Sequence, residues 1–432
     1  MAHSRFPVFW LAAQLPVDII YNPDVVTRAL AQHGETGHRP YANPPSFLFA
    51  AWPFAQLPLL PGYCLWLAVS LALFIGAAER IAGKAALLIL VAAPAFHWAV
   101  IGGQVTLLMG GLTLSGVVLM GRRPVLAGCL FAVAALLKPQ GVLLVPLALV
   151  AAGNWRTLIA TLAWGAGIGL LSVLVQGPEL WLAWIRAIGE FDVFIRDTGY
   201  IGNGITPAAL AHSLGAEGAA GMLIVSAGAM LGIACCWVSF RRSEDPALRG
   251  GAVICGSLLC TPYALPYEAV SLLPPAAAIL TAPDTRRAAL PAAALVVIFP
   301  FSPIAVILFA LGLLWAASSA RVRSGSEQGL ELDQARHGKR GADDHVESAD
   351  WPQALAAPVQ DHINRRDGED RQPAKGGDGE RRDERPESTL LKARIDRPQD
   401  QSGEAGGDPH RRGAADRPGL QHRRITARRE YR

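Results

Sequence analysis

The sequence lacks the short motifs that mark nucleotide-dependent or zinc-dependent enzymes. It has no phosphate-binding glycine loop, no dinucleotide fingerprint and no zinc motif, so we expect no nucleotide, metal or other cofactor. The six cysteines lie within or beside apolar runs, and no pair of them comes with histidine at ligand spacing. We therefore expect buried free thiols, and neither disulfides nor a metal site.

Charge is also scarce between Ser46 and Ala320, where apolar runs follow one another with short breaks. From Arg321 to Arg432 the balance reverses, because Arg, Asp, Glu, Gly, Pro and Gln dominate and Ile, Val and Phe are rare. The first region predicts a polytopic membrane protein. The second cannot bury an apolar core and is predicted to be disordered. The net charge of +4 averages these two unlike regions, and we expect no nucleic-acid partner.

The apolar runs predict an all-α bundle of about nine to eleven transmembrane or re-entrant helices. The predicted spans are 62–81, 84–101, 104–121, 124–137, 139–152, 155–176, 219–240, 249–260, 265–282, 287–299 and 303–318. Several runs are shorter than the roughly 20 residues that a straight crossing needs. Those within 124–152, 249–282 and 287–318 could instead be broken helices or re-entrant hairpins.

These runs divide the chain into three regions. Residues 1–61 are predicted to be a first extracytoplasmic loop with a re-entrant or interfacial segment, 62–320 the transmembrane core with an outer loop at 177–218, and 321–432 a disordered tail. No span precedes the polar residues 1–45 to carry them across, so we expect an upstream transmembrane helix before the given start. A shifted reading frame through GC-rich DNA would produce a tail of this composition.

Basic residues flank the predicted spans on one side only. They are Arg80 with Lys84, Arg122-Arg123, Arg156, Arg241-Arg242 with Arg249, Arg286-Arg287, and Arg321 with Arg323. The positive-inside rule makes that side cytoplasmic, in a multi-pass protein of the inner cell membrane. The opposite face collects the polar or irregular segments 1–45, 102–104, 138–140, 177–218 and 261–268. Irregular backbone at membrane depth needs protein or a water-filled cavity around it, so we predict that these five segments are the walls of one cavity.

The segment Lys138-Pro139-Gln140 interrupts an otherwise apolar run from Pro124 to Ala152 with a cation, a helix breaker and an amide. A charge within the membrane costs about 2.5–3.5 kcal/mol on insertion scales, so it usually has a partner or a task. An ammonium group there suits a phosphate near the membrane surface. Alternatively, Lys138 extends to the interface or pairs with a structural carboxylate, for which Glu268 is the candidate.

Other polar side chains on this face are candidates for binding a substrate. Gln104 and Gln140 lie at predicted helix ends, where their amides would either bind hydroxyl groups or cap neighbouring helices. Tyr263, Tyr267 and Glu268 form a dense cluster, although tyrosines are also common anchors at membrane interfaces.

The predicted outer loop 177–218 is rich in aromatic and acidic residues. Aromatic faces beside carboxylates suit sugar binding. However, the spacing of Trp181, Trp184, Ile185 and Ile188 is also typical of an amphipathic helix that lies on the bilayer. That spacing favours the helix for 179–190.

Several short motifs follow one another along the chain. They are Tyr41-x-x-Pro44-Pro45, Leu65-Trp66, Gly103-Gln104, Arg123-Pro124 with Ala127-Gly128, Lys138-Pro139-Gln140, and Pro262-Tyr263 with Tyr267-Glu268. Together they resemble the family-87 glycosyltransferases of the GT-C superfamily, which are similar to polyprenyl-phosphate-mannose-dependent mannosyltransferases. The resemblance covers roughly residues 6–318. It implies a GT-C-like bundle, a polyprenyl-phosphate-linked sugar donor and a lipid or glycan acceptor.

The resemblance also implies roles for particular residues. Lys138 would hold the donor phosphate, and a carboxylate of the first outer loop would take the acceptor's proton. It places an acid directly before Phe6, where this sequence has Arg5. Either the true start differs, Asp18 or Asp24 substitutes with Asp18 ranked first, or the protein is an inactive relative. A transporter or flippase of a lipid-linked sugar is a further alternative.

Overall fold

A computed structural model describes residues 4–17, 19–34, 40–197, 199–281 and 289–319. The α-helices are Phe6–Ala12, Pro23–Gln32, Phe47–Ala55, Leu59–Ala82, Leu87–Ala92, Pro94–Ile101, Val105–Leu119, Pro124–Leu137, Val145–Ala151, Trp155–Gln176, Pro178–Asp197, Pro207–Ser213, Gly218–Arg242, Pro246–Leu259, Leu273–Thr281, Leu290–Ile298 and Pro303–Ser319. Short 3₁₀ helices lie at Lys84–Ala86, Pro139–Val142, Tyr200–Asn203 and Pro266–Leu272. The predicted tail, 321–432, lies outside the described residues and stays a prediction.

Three of these helices are long and apolar enough to cross a bilayer: Leu59–Ala82, Trp155–Gln176 and Gly218–Arg242. A fourth crossing results if Pro94–Ile101 and Val105–Leu119, which bend by 118° at their junction, count as one broken span. Shorter apolar helices are Pro124–Leu137, Pro246–Leu259, Pro303–Ser319 and the segment Pro139–Ala151, in which the 3₁₀ helix Pro139–Val142 leads into Val145–Ala151. The prediction of an all-helical membrane protein is confirmed, and most predicted segments are short helices rather than full crossings.

The predicted span 84–101 differs from the structure, which divides it into three pieces. A 3₁₀ turn leads into the helix Leu87–Ala92, and a new helix begins at Pro94. Ala93 between them has an extended backbone, with a ψ angle of 131°. Proline disfavours helical geometry in the residue before it and fits well in the first turn of a helix. Pro94 therefore breaks a run that its apolar composition alone would make continuous.

The helix Val105–Leu119 lies inside the bundle, and most of its side chains are buried. Leu59–Ala82 packs closely against it at Gly111, where a Cβ atom would lie 2.8 Å from the backbone of the facing helix. By contrast, Trp155–Gln176 exposes large apolar side chains along most of its length. Such a surface is stable against acyl chains and not in water, so this helix faces lipid.

The helix Pro124–Leu137 separates the basic turns from the cavity segments. It begins directly after Arg123 and ends directly before Lys138. At the Arg123 end, the side-chain amide of Asn154 donates to the Met120 carbonyl at 2.9 Å, which joins two of the basic turns. The basic turns and Lys138 therefore lie at opposite ends of one apolar helix.

An aromatic cluster fixes the first helix, Phe6–Ala12, against the bundle. The rings of Phe9 and Phe47 lie 4.8 Å apart, and the ring of Phe6 lies 6.0 Å from that of Trp66. All four side chains are buried. Aromatic pairs at these distances attract one another beyond their area of burial, so they stabilise the position of the helix Phe6–Ala12.

Candidate functional site

A cavity of about 330 Å³ lies where the five predicted segments meet. Its walls include Arg5 and residues 40–44, Gln104, Lys138-Pro139-Gln140, Trp184 with Ile188 and Phe191, and residues 260–263 with Tyr267. The structure thus brings to one place the polar segments that hydropathy and charge assigned to one face. Of the substrate-binding candidates, Gln104, Gln140, Tyr263 and Tyr267 line the cavity together with Lys138.

A break between two helices positions Lys138 in this cavity. The helix Pro124–Leu137 ends directly before Lys138, and Pro139 begins a 3₁₀ turn. Because proline has no N–H and disfavours helical geometry before it, the chain changes direction at this point. The Lys138 ammonium forms an ion pair with Glu268 and lies 5.6 Å from the centre of the Tyr267 ring.

Glu268 is buried, with 3% of its surface exposed, and it does not line the cavity. One carboxylate oxygen forms the ion pair with the Lys138 ammonium, and the other accepts a hydrogen bond from the Thr106 hydroxyl at 3.3 Å. The Ser271 hydroxyl donates to the Thr106 carbonyl, also at 3.3 Å. A buried charge needs compensation of this kind. Of the two roles predicted for Glu268, the structure shows the partnership with Lys138, whereas substrate contact stays a prediction.

The helix Pro178–Asp197 supplies an aromatic wall, and its extent includes the predicted amphipathic helix at 179–190. The Trp184 indole N–H donates to the Ala42 carbonyl at 3.2 Å. Phe191 meets Tyr263 edge to face, with ring centres 5.3 Å apart. These contacts join the helix to two other walls of the cavity.

The first segment is hydrogen-bonded to the break at Lys138. The Tyr21 hydroxyl donates to the Asn43 carbonyl at 2.7 Å, and the Asn43 amide donates to the Leu137 carbonyl at 3.2 Å. The hydroxyl of the neighbouring Tyr41 is buried and has no hydrogen-bond partner within the described part of the chain. Burial raises the pKa of Tyr41 well above its usual value, so this hydroxyl stays protonated.

The family model of glycosyltransferase family 87 matches residues 41–262, just over half of the 432-residue chain. The chain belongs to glycosyltransferase family 87. The match includes all five of the walls in whole or in part, among them the segments around Gln104, Lys138 and Trp184. No curated protein and no solved structure gave a match. Family 87 membership makes the chain a membrane-embedded transferase whose substrates are a sugar donor and an acceptor.

A family 87 glycosyltransferase needs a group that accepts the proton of the attacking hydroxyl. Among the residues that the structure describes, no Asp or Glu lines the cavity. Asp24 is exposed at the start of its helix and does not line the cavity, and Asp18 lies outside the described residues. Glu190 lines a neighbouring hollow of about 50 Å³ that shares Tyr41 and Phe191 with the cavity. In the described ranges, no three His, Cys, Asp or Glu side chains are grouped as a metal site requires.

Sequence reasoning missed several residues of this family 87 site. Trp184 was predicted to lie on an amphipathic face, with sugar binding as the alternative, but its hydrogen bond to the Ala42 carbonyl of the first segment was not predicted. Thr106 and Ser271 carry no signal in the sequence, because small hydroxyls are common in apolar helices. Arg5 was noted in the sequence only as a departure from the family pattern, whereas in the structure it lines the cavity.

Proposed function

We propose that this family 87 member transfers mannose from a polyprenyl phosphate to a hydroxyl group of a lipid or glycan acceptor, with inversion. The site would lie at the extracytoplasmic face of the inner cell membrane. One observation carries the proposal: Lys138, at the end of an apolar helix, lines a cavity whose other walls are largely apolar and aromatic. That combination suits a ligand with a phosphate head and a hydrocarbon tail.

Lys138 can bind the donor phosphate through the N–H groups that do not bond Glu268. An ammonium group carries three N–H donors, and one of them serves Glu268. The remaining donors are free to contact a phosphate oxygen. When the acceptor oxygen attacks the anomeric carbon, the bond from that carbon to the phosphate oxygen breaks, and the phosphate leaves with the electron pair. A cation fixed beside that oxygen stabilises the charge as it develops.

The proton of the acceptor hydroxyl must go to a base, and a carboxylate near the site is the usual choice. The family resemblance points to the first segment, where Asp18 is the first candidate and Asp24 the second. Gln104 and Gln140, both on the cavity wall, would bind sugar hydroxyl groups through their amides. Tyr263 and Tyr267 would add hydroxyl donors and flat apolar faces for the sugar ring.

The orientation is supported by the helix Pro124–Leu137. Its two ends carry a basic turn and the cavity break, at Arg123 and Lys138 respectively. Because basic turns stay on the cytoplasmic side, the cavity would open toward the opposite face. A lipid-linked donor is available there without a nucleotide-binding domain.

The test is sugar transfer by purified protein in lipid nanodiscs. The protein is mixed with radiolabelled polyprenyl-phosphate-mannose and a membrane lipid acceptor, and the label that reaches the acceptor is counted. Lys138→Ala is expected to slow transfer by about 10²–10³-fold, the usual loss when one stabilising donor is removed. Asp18→Asn should abolish transfer, whereas Lys84→Ala, exposed at the other end of the bundle, should not change it. Transfer that is unaffected in Lys138→Ala would refute the role of this lysine.

A second candidate is a non-catalytic relative that binds a lipid-linked sugar. It is favoured by the lack of a carboxylate among the described cavity residues, and by Arg5 at the place where the family resemblance implies an acid. Donor binding without transfer in the same nanodiscs would support it. Movement of the donor across the bilayer without transfer would instead support the flippase alternative.

A further inference from the structure

Arg5 is held on the cavity wall by its own backbone. Its N–H donates to the Gly102 carbonyl at 2.7 Å. Position 103, next to this carbonyl, strongly favours glycine. Gly103 has a φ angle of +55°, and a Cβ atom there would lie 2.8 Å from the Tyr63 ring. The next residue, Phe6, belongs to the aromatic cluster. The backbone hydrogen bond of Arg5 and the packing of the next residue, Phe6, therefore fix the position of Arg5.

The charges around the cavity do not balance. Arg5 and Lys138 are the charged residues among the described residues that line it. Glu268 compensates Lys138, while the half-buried Arg5 side chain forms no ion pair or hydrogen bond within the described part of the chain. Arg5 and Lys138 line the same cavity, so their two positive charges repel each other. Counting the described residues alone, the cavity thus carries one uncompensated positive charge beside an apolar bundle, where such charge is costly.

Another half-buried arginine in this protein does find partners. Arg249 donates to the Phe240 carbonyl at 3.2 Å and lies over the Phe240 ring, 5.5 Å from its centre. Even the exposed Arg80 donates to the Gly76 carbonyl at 2.7 Å. A half-buried arginine that serves only the fold would be expected to use some of its donors as Arg249 does. Arg5 keeps its guanidinium donors available toward the cavity.

We propose that Arg5 is a second phosphate-binding residue, which holds the phosphate of the lipid-linked donor together with Lys138. A guanidinium group can bind two phosphate oxygens at once, whereas the lysine ammonium acts as a point charge. Binding the anion relieves the repulsion between the two cations and gives Arg5 a partner that the described residues do not supply. This inference rests on the proposed function, since it concerns the same ligand in the same cavity. It also means that residue 5 does not act as the base.

The decisive experiment measures binding of a polyprenyl phosphate that carries no sugar. Purified protein in phosphatidylcholine nanodiscs is titrated with this lipid, and the dissociation constant is measured for the wild type, Arg5→Ala, Arg5→Lys and Arg5→Asp. Losing a charge-assisted contact should weaken binding about tenfold or more in Arg5→Ala. Arg5→Lys should retain part of the affinity, and Arg5→Asp should lose the most. Arg28→Ala, which removes an exposed arginine of the same segment, should bind like the wild type.

Two further arms make the result unambiguous. Thermal unfolding of each variant without ligand checks that a weaker affinity is not a loss of fold, and the charge-retaining Arg5→Lys serves if Arg5→Ala does not fold. Inorganic phosphate and phosphatidylglycerol are tested as competitors. If either displaces the polyprenyl phosphate at equal concentration, the site is a general phosphate or headgroup site, and the assignment to the donor is wrong.

Arg5 and the proposed function can fail separately. If Arg5→Ala and Arg5→Asp bind polyprenyl phosphate as the wild type does, the role of Arg5 is overturned, whether or not sugar is transferred. An increase in sugar transfer in Arg5→Asp would also overturn it, because the acid would then be acting as a base. If binding depends on Arg5 but the wild type transfers no sugar, the phosphate site stands and the transferase proposal fails.

Discussion

Glu268→Gln removes the counterion of Lys138 with almost no change in shape. The amide keeps an oxygen for the Thr106 hydroxyl, which lies 3.3 Å from the carboxylate, and turns its NH2 group toward Lys138, so the negative charge and the acceptor of the ammonium are both lost. The side chains of Lys138 and Glu268 are 13% and 4% exposed, so water screens neither of them well. Breaking a buried ion pair by removing one partner costs about 3–5 kcal/mol. We expect the free energy of unfolding to fall by that amount.

The double variant Lys138→Met with Glu268→Gln shows whether the uncompensated charge causes the loss. It removes both charges and keeps the Thr106 hydrogen bond. Since apolar replacement of a buried ion pair is often neutral or stabilising, the double variant should be more stable than Glu268→Gln by about 2 kcal/mol or more. The assay is denaturant unfolding in mixed micelles, with Lys84→Ala as the control.

The single variant Glu268→Gln can also be tested by ligand binding, where the expected effect is a gain rather than a loss. With Glu268 neutral, the whole charge of Lys138 is available to an anion, so a polyprenyl phosphate should stabilise Glu268→Gln more than it stabilises the wild type. If Glu268→Gln unfolds like the wild type and the lipid stabilises both equally, the reasoning about this ion pair is refuted.

Three further variants test the packing around the site. Tyr41→Phe removes a buried hydroxyl that has no partner among the described residues, so stability should rise by about 1 kcal/mol, and a fall in thermal unfolding temperature would contradict this. Trp184→Phe loses the hydrogen bond to the Ala42 carbonyl and should cost about 1 kcal/mol and lower sugar transfer; unchanged transfer would show that this contact is not needed. Gly111→Ala places a methyl group 2.8 Å from the facing backbone and should cost at least about 1–3 kcal/mol of stability. The control Gly167→Ala meets nothing within 4 Å and should be neutral or stabilising. Equal stabilities for the two variants would show that Gly111 is not a close contact.

Helix existence was predictable wherever apolar runs end at clear breaks. The helices Pro124–Leu137 and Trp155–Gln176 begin and end at the predicted residues, because proline, glycine and charged turns delimit them. The bend of 118° after Ile101 was not predictable from hydropathy. It depends on Gly103, whose positive φ angle and close neighbours matter only once the first segment has packed against it.

The site was predictable as a meeting of segments but not as a set of contacts. Charge patterning placed the five segments on one face, and the candidate pair of Lys138 and Glu268 followed from the cost of a charge in an apolar run. The bond from Trp184 to Ala42 joins residues that are far apart in sequence, and no local pattern encodes it. For the same reason, the sequence could not tell that Glu268 is buried while Arg5 lines the cavity.

The balance of charge in the cavity constrains the mechanism more than any single residue does. Two cations that face one phosphate favour departure of the leaving group, since they stabilise the negative charge that forms on its oxygen. They do nothing for the proton of the attacking hydroxyl, and a carboxylate placed between them would be neutralised by an ion pair instead of acting as a base. On the proposal that Arg5 and Lys138 both hold the phosphate, the base is expected to approach from the acceptor side, away from these two residues. Asp18→Asn separates the two halves of this argument, because it should abolish sugar transfer while leaving polyprenyl phosphate binding intact.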